Sequence, residues 1–197
     1  MVSGDAATQP VSRRRQLSAW WVEAKRVDVA VYEAILRTPT PNLDTEMRRL
    51  TQAADYSRLW LGSAAILAAT RGRQGRRAAV TGLASVGVTS AVANLAIKPL
   101  GRRSRPDPSG APAGRRAPMP ASSSFPSGHS ASAFAFATGV GSILPVEAIP
   151  IRAVTTAVAY SRVHTGVHYP ADIIAGAFLG STLAQITSRV LNRWLPS

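Results

Sequence analysis

Residues 78–97 read AAVTGLASVGVTSAVANLAI, twenty consecutive positions without a charge. A helix of about 20 residues matches the ~30 Å hydrocarbon core of a bilayer. Gly82, Ser85, Gly87, Ser90 and Ala93 keep this segment slim, which suits close helix packing in lipid. Four shorter apolar segments accompany it, at 57–70, 130–146, 148–160 and 171–188. Each alone is as compatible with a buried core helix as with a span. Together, separated by basic or Pro-rich connections, the five predict a membrane protein.

The charge distribution agrees. Lys and Arg total 23 against 10 Asp and Glu, a net charge of +13, and all but Lys25 and Lys98 of those cations are Arg. Most charges lie between the apolar segments, which themselves hold only Arg58, Arg152 and Asp172. The absence of Cys excludes a disulfide scaffold, a Cys-ligated zinc site and a thiol nucleophile. No apolar run follows Arg13–Arg15, so no secretory signal peptide is expected there. Residues 16–37 read as an amphipathic helix with Trp20, Val27 and Val31 near one face, lying in the membrane interface beside the basic cluster. Residues 38–42 (TPTPN) end it, and Asp44 to Asp55 read as a second short polar helix. RGRQGRR at 71–77 reads as a basic turn. Residues 106–126 hold six prolines and read as a long loop, a common form for a functional lid.

The predicted fold is therefore all-α: a membrane-embedded bundle of about five spanning helices, with N-terminal amphipathic helices at the interface. Residues 1–56 form the basic tail and interfacial part. Residues 57–197 form the transmembrane domain, with the Pro-rich loop at 106–126.

Three clusters carry the chemistry. Lys98 to Pro106 (KPLGRRSRP) follows the 78–97 helix, Phe125 to Ser130 (FPSGHS) opens the next one, and Ser161 to Asp172 (SRVHTGVHYPAD) lies between the last two. Spanning helices alternate in direction, so all three clusters fall on one membrane face. Lys98, Arg105 and Arg162 then supply three cations, suited to a phosphate dianion that Arg grips with forked hydrogen bonds. Ser127 and Gly128 precede a helix and aim backbone N–H groups at an anion. His129 and His168 remain for the nucleophile and the proton donor that phosphoryl transfer requires. Pro170 suits a first helical turn, which brings Asp172 close to the His168 ring, where a carboxylate fixes the tautomer. The only acidic residues after Asp107 are Glu147, on the opposite face, and Asp172. One usable carboxylate does not build a two-metal site, and three cations repel a divalent ion. The expectation is metal-free and cofactor-free catalysis through a phosphohistidine. Arg102, Arg103, Arg115 and Arg116 are expected in solvent or at lipid headgroups, His164 in a structural role, Asp107 beside an Arg, and Tyr169 in packing.

At these residues the chain resembles the type-2 phosphatidic acid phosphatase superfamily, membrane lipid phosphatases together with soluble vanadium haloperoxidases. Lys98 with Arg105-Pro106, Pro126-Ser127-Gly128-His129, Ser161-Arg162, His168 and Asp172 match its pattern, over about residues 57–190. The resemblance implies His168 as nucleophile, Asp172 as its orienting partner and His129 as general acid. It implies phosphate binding by Lys98, Arg105, Ser127, Gly128 and Arg162. Many membrane members have six helices, whereas residues 16–37 carry too many charges to span. Arginine counts by face favour a cytoplasmic catalytic side under the positive-inside rule. The implied partners are the bilayer, as a multi-pass plasma-membrane protein, and a lipid phosphate. The Ala- and Arg-rich composition is similar to that of small actinobacterial members. For those the implied substrate is the 5-phosphate of decaprenylphosphoryl-phosphoribose, ahead of undecaprenyl pyrophosphate, phosphatidylglycerophosphate and phosphatidate. A soluble haloperoxidase conflicts with the uncharged helix. A basic surface or nucleic-acid binder gives no reason for the placement of His129, His168 and Asp172.

Overall fold

Small residues set how closely the helices of this chain approach one another, and that closeness organises the bundle. The computed structural model describes residues 13–101 and 103–194. The expectations for the tail before residue 13 and for Arg102 fall outside them. Among the described residues the regular structure is helical throughout. α1 spans Arg13–Arg37, α2 Pro41–Ala53, α3 Arg58–Thr70, α4 Gly72–Ala91, α5 Gly128–Gly141, α6 Ala148–His164 and α7 Pro170–Trp194. A one-turn 3₁₀ helix, Asp55–Ser57, leads into α3, and α4 runs on as a π-helical segment, Val92–Ile97.

α5 is the central element, packed against α4, α6 and α7. On its α7 side the backbones nearly touch. A Cβ at Gly176 would meet the Ser127 carbonyl oxygen, and one at Gly180 would land on the Ala131 carbonyl oxygen. The core is built from alanines on these helices and a few large side chains. Trp60 of α3 lies against Phe136 of α5, ring centroids 5.5 Å apart, and both are buried.

α4 and its π-helical continuation (Gly72–Ile97) and α7 (Pro170–Trp194) are long and apolar enough to cross a membrane. The other three of the five expected segments are shorter helices. α3, α5 and α6 have 13, 14 and 17 residues, and at ~1.5 Å per residue they reach only about 20–26 Å. The bundle's outer surface is nonetheless apolar, with Leu61, Ile66, Val88, Ile174, Phe178 and Val190 exposed on several helices. The basic turn expected at 71–77 is also corrected. The chain turns at Arg71 and at Gly72, whose φ of +55° suits a glycine, and α4 already starts at Gly72.

α1 keeps Trp20 and Trp21 exposed, at 77% and 74%, as an interfacial helix requires. Its inward face differs from the one read in the sequence: Asp28 and Tyr32 are buried while Val27 and Val31 are not. α1 ends at Arg37, where Thr38 turns its hydroxyl back to the Ala34 carbonyl at 2.7 Å, and Pro41 starts α2.

The Pro-rich loop is fastened by Arg115, expected in solvent but fully buried. Its guanidinium donates to the carbonyls of Ile35, Leu36 and Thr38, to the Thr40 hydroxyl and to Asp44. It thereby satisfies the carbonyls that the end of α1 leaves open. His164 of α6 meets the same Asp44 oxygen at 3.0 Å, the structural role expected of it. Burial would raise the Asp44 carboxyl, but hydrogen bonds from Thr40, His164 and Arg115 outweigh it and hold it below the usual range. Asp107 caps its own loop through the Ser109 backbone and hydroxyl.

The α5–α7 approach makes a test. Gly180→Ala should lower the stability of the detergent-solubilised protein by about 1–3 kcal/mol, the usual cost of overpacking. Gly62→Ala, where nothing lies within 4 Å of the added carbon, should leave thermal unfolding unchanged.

Candidate active site

The three clusters meet at one end of the bundle. Lys98 stands just past the π-helical segment, its N–H bonded to the Ala93 carbonyl at 2.9 Å. The following chain runs beside the end of the Pro-rich loop: Ser124 donates its N–H to Arg103 O and its hydroxyl to Ser104 O. Arg105 donates through Nε to Ser122 O at 2.9 Å and through Nη2 to Ser123 O. These contacts hold the guanidinium so that Nη1 reaches Val167 O at 2.9 Å and His168 Nε2 at 3.2 Å.

That last contact settles a proton position. A guanidinium only donates, so Nε2 of His168 accepts and the ring proton resides on Nδ1. Nδ1 faces Asp172 Oδ2 at 3.4 Å. The lone pair of Nε2 therefore points into the cationic cluster. The segment that presents it is short: α6 ends at His164, Gly166 turns at φ +78°, and Pro170 starts α7. Burial, reinforced by the charges of Arg162 and Arg105, holds the His168 pKa down at about 4 despite the hydrogen bond to Asp172.

Asp172 is fully buried. Its Oδ2 also accepts the Tyr169 N–H at 3.0 Å and its Oδ1 accepts from Arg103 at 2.8 Å. Its backbone carbonyl takes the Ser127 N–H at 3.0 Å. This corrects the role expected of the Ser127 amide, which serves Asp172 rather than facing an anion. The Ser127 hydroxyl caps α5, accepting from Ser130. The Gly128 and His129 amides stand at the helix start without intrahelical acceptors.

Lys98 Nζ lies over Gly128: a Cβ there would sit 3.5 Å from it. Burial first, then the like charges of Arg105 and Arg162, push the Lys98 ammonium below its usual pKa. A narrow cleft of about 130 Å³ opens beside Lys98, Gly128 and His129. Arg162 is buried, and its Nη1 donates to Thr51 of α2 at 2.6 Å.

Four contributors escaped the sequence reading, all but one from the N-terminal region. Asp55 Oδ1 meets His129 Nε2 at 2.8 Å. Thr51 holds Arg162. Arg103, expected at headgroups, bridges Asp172 and Asp28 of α1. Asp55 and Asp28 lie 74 and 144 positions from the residues they support (129 − 55 and 172 − 28), so no local spacing signals them. The one hint in the sequence is Asp28, a charge four positions before Tyr32 on a single helix face.

The His168 environment gives a measurable expectation. In ¹⁵N NMR of histidine-labelled protein at pH 5.5, His168 should remain neutral with its proton on Nδ1, whereas a solvent imidazole, with a pKa of about 6.5, is mostly protonated. A charged His168 signal at that pH contradicts the geometry.

Residues 78–196 match the PAP2 superfamily, more than half of the chain. The decaprenylphosphoryl-5-phosphoribose phosphatase of Mycobacterium tuberculosis is 34% identical over 173 residues, covering 85% of this chain and 92% of that protein. The fold is shared with the transmembrane PAP2 type phosphatidylglycerolphosphate phosphatase from Bacillus subtilis. That match has a TM-score of 0.68 at 24% identity and covers 87% of each chain. Aquifex aeolicus LpxE matches with a TM-score of 0.63 at 18% identity, over 83% of this chain and 95% of that one. The resemblance carried by Lys98, Arg105, Pro126 to His129, Arg162, His168 and Asp172 thus extends to the helical architecture and most of the chain, which belongs to the PAP2 superfamily.

Proposed function

We propose that this chain is a multi-pass plasma-membrane phosphatase that hydrolyses a lipid phosphomonoester through a phosphohistidine on His168. The observation that carries the reading is the Arg105–His168–Asp172 line: an Nε2 lone pair aimed among clustered cations, with the Nδ1 proton against a buried carboxylate. α3 to α7 form the five membrane-crossing helices of this reading, supported by the apolar side chains they turn outward.

Lys98, Arg105 and Arg162 receive the phosphate dianion, joined by the free amides at the start of α5. Arg105 transfers its Nη1 donation from His168 to a phosphate oxygen. His168 Nε2 attacks phosphorus as the ester P–O bond breaks. The leaving oxygen takes a proton from His129, whose ring Asp55 holds. Asp172 stabilises the cationic phosphohistidine through Nδ1–H. Water then attacks phosphorus, gives its proton to His129, and the N–P bond electrons return to the imidazole as phosphate leaves. The sequence is metal-independent: Asp172 and Asp28 are paired with Arg103 and Asp55 with His129, so each carboxylate near the site is engaged.

For the substrate we infer the 5-phosphate of decaprenylphosphoryl-5-phosphoribose, a cell-wall arabinan precursor. The support is the M. tuberculosis relative that bears this substrate in its name and aligns over most of both chains.

Purified protein should release phosphate fastest from prenylphosphoryl-5-phosphoribose in a panel that includes undecaprenyl pyrophosphate, phosphatidylglycerophosphate and phosphatidate. A different preferred lipid overturns the substrate assignment alone. His168→Ala should lose activity by up to about 10⁶-fold, the scale of a deleted nucleophile, and Asp172→Asn less, about 10⁴-fold. Full turnover in excess EDTA is expected, and a strict Mg²⁺ requirement defeats the metal-independent step.

A further inference from the structure

The segment that carries His168 is not held by its own domain alone. Arg103 lies across it: Nη1 donates to Asp172 Oδ1 at 2.8 Å, Nη2 pairs with Asp28 of α1, and the guanidinium covers the Tyr169 ring 4.4 Å from its centroid. Asp28 is itself buried, and its other oxygen accepts the Ala171 N–H at 2.7 Å in the first turn of α7. One α1 turn further on, Tyr32 packs edge-on against Tyr169, centroids 5.3 Å apart, and gives its hydroxyl to the carbonyls of Asp107 and Gly166. α1 therefore touches the 166–172 segment at a side chain, at a backbone amide and at a backbone carbonyl.

From these contacts we propose that Arg103 and Asp28 are positioning residues for catalysis, forming with Asp172 and His168 a continuous line Asp28–Arg103–Asp172–His168. The inference deepens the phosphohistidine reading and rests on it for its kinetic consequence. A guanidinium between two buried carboxylates can satisfy both only when it is planar and forked. Arg103 thereby pins Oδ1 of Asp172, which leaves Oδ2 with the Tyr169 amide and the His168 ring. Without Arg103, Asp172 is free to rotate its carboxylate away from Nδ1, and the tautomer that exposes the Nε2 lone pair loses its fixed partner. Asp28 supplies the second grip, and it comes from a helix outside the span that matches the family. The catalytic site is in this sense completed by α1.

The test measures kcat, KM and the His168 tautomer in full-length protein, in detergent, for Arg103→Gln, Arg103→Lys, Asp28→Asn and Asp28→Glu. Arg103→Gln should lower kcat by about 10- to 100-fold, the scale of losing a partner behind a catalytic ligand. KM should change little, because both Nη groups of Arg103 are engaged by Asp172 and Asp28. The Nδ1–H signature of His168 should weaken in the same variant. Arg103→Lys keeps the charge but not the fork and should recover only part of kcat. Asp28→Asn keeps an acceptor for the Ala171 amide while removing the negative charge that faces Arg103, so a several-fold loss in kcat is expected, with Asp28→Glu closer to wild type.

Wild-type kcat and an unchanged tautomer in Arg103→Gln overturn the proposal. So does a loss confined to KM, which marks a substrate contact instead. If Arg103→Gln fails to fold, Asp28→Asn decides on the same two readouts. If the wild-type protein releases no phosphate from any lipid in the panel, the phosphatase reading fails, and the tautomer measurement still judges the positioning line by itself.

Discussion

A carboxylate with no access to water must be satisfied on every side, or it destabilises the fold around it. Asp172 is that group here. Its two side-chain oxygens take Arg103, the Tyr169 amide and the His168 ring, and its backbone carbonyl takes the Ser127 amide. These bonds reach all three motif clusters: Arg103 from the first, Ser127 from the second, His168 from its own. Meeting the needs of one buried charge thus assembles the site. The close approach of α5 to α7 at Gly176 and Gly180 serves the same end, since it brings the start of α5 beside the start of α7.

A second buried carboxylate, Asp44, does comparable work for the N-terminal region. Arg115 and His164 converge on it, and Arg115 spends its remaining donors on the open end of α1. The Pro-rich loop is therefore anchored in mid-course, and its far end lies along Arg103 to Arg105. The two networks explain how a long connection lacking helix or strand can hold Arg105 in register with His168. They also carry α1 and α2 into the site, through Asp28 and Thr51. The N-terminal helices are structural partners of the candidate site as well as an exposed Trp-bearing surface.

The surroundings of the site follow from the solvent on each side. Small residues within the bundle let the helices close around a few large core side chains such as Trp60 and Phe136, while many other large aliphatic and aromatic ones face outward. A soluble protein buries such residues. The arrangement suits a chain whose neighbour is lipid, with Lys98, Arg105 and Arg162 gathered at one end of the bundle.

Much of this was legible in the sequence because it is local. The uncharged run at 78–97 dictated a long apolar helix. The spacing of Pro170 to Asp172 placed a carboxylate near His168, and Ser127-Gly128 marked the start of a helix. Helix geometry converts such short spacings directly into proximity. What the sequence misjudged or missed has no local signature. The exposed-looking Arg115 proves fully buried and Arg103 half-buried between two carboxylates, the Ser127 amide serves Asp172, and Asp55, Thr51 and Asp28 arrive from far upstream. Arginine reads alike in sequence whether it is solvated or the hub of a buried network, because its fate depends on which carboxylates and carbonyls the packed helices bring within reach. Residue chemistry and helical period were enough to single out the groups that meet at this site; only the packing of distant helices decided what holds each of them still.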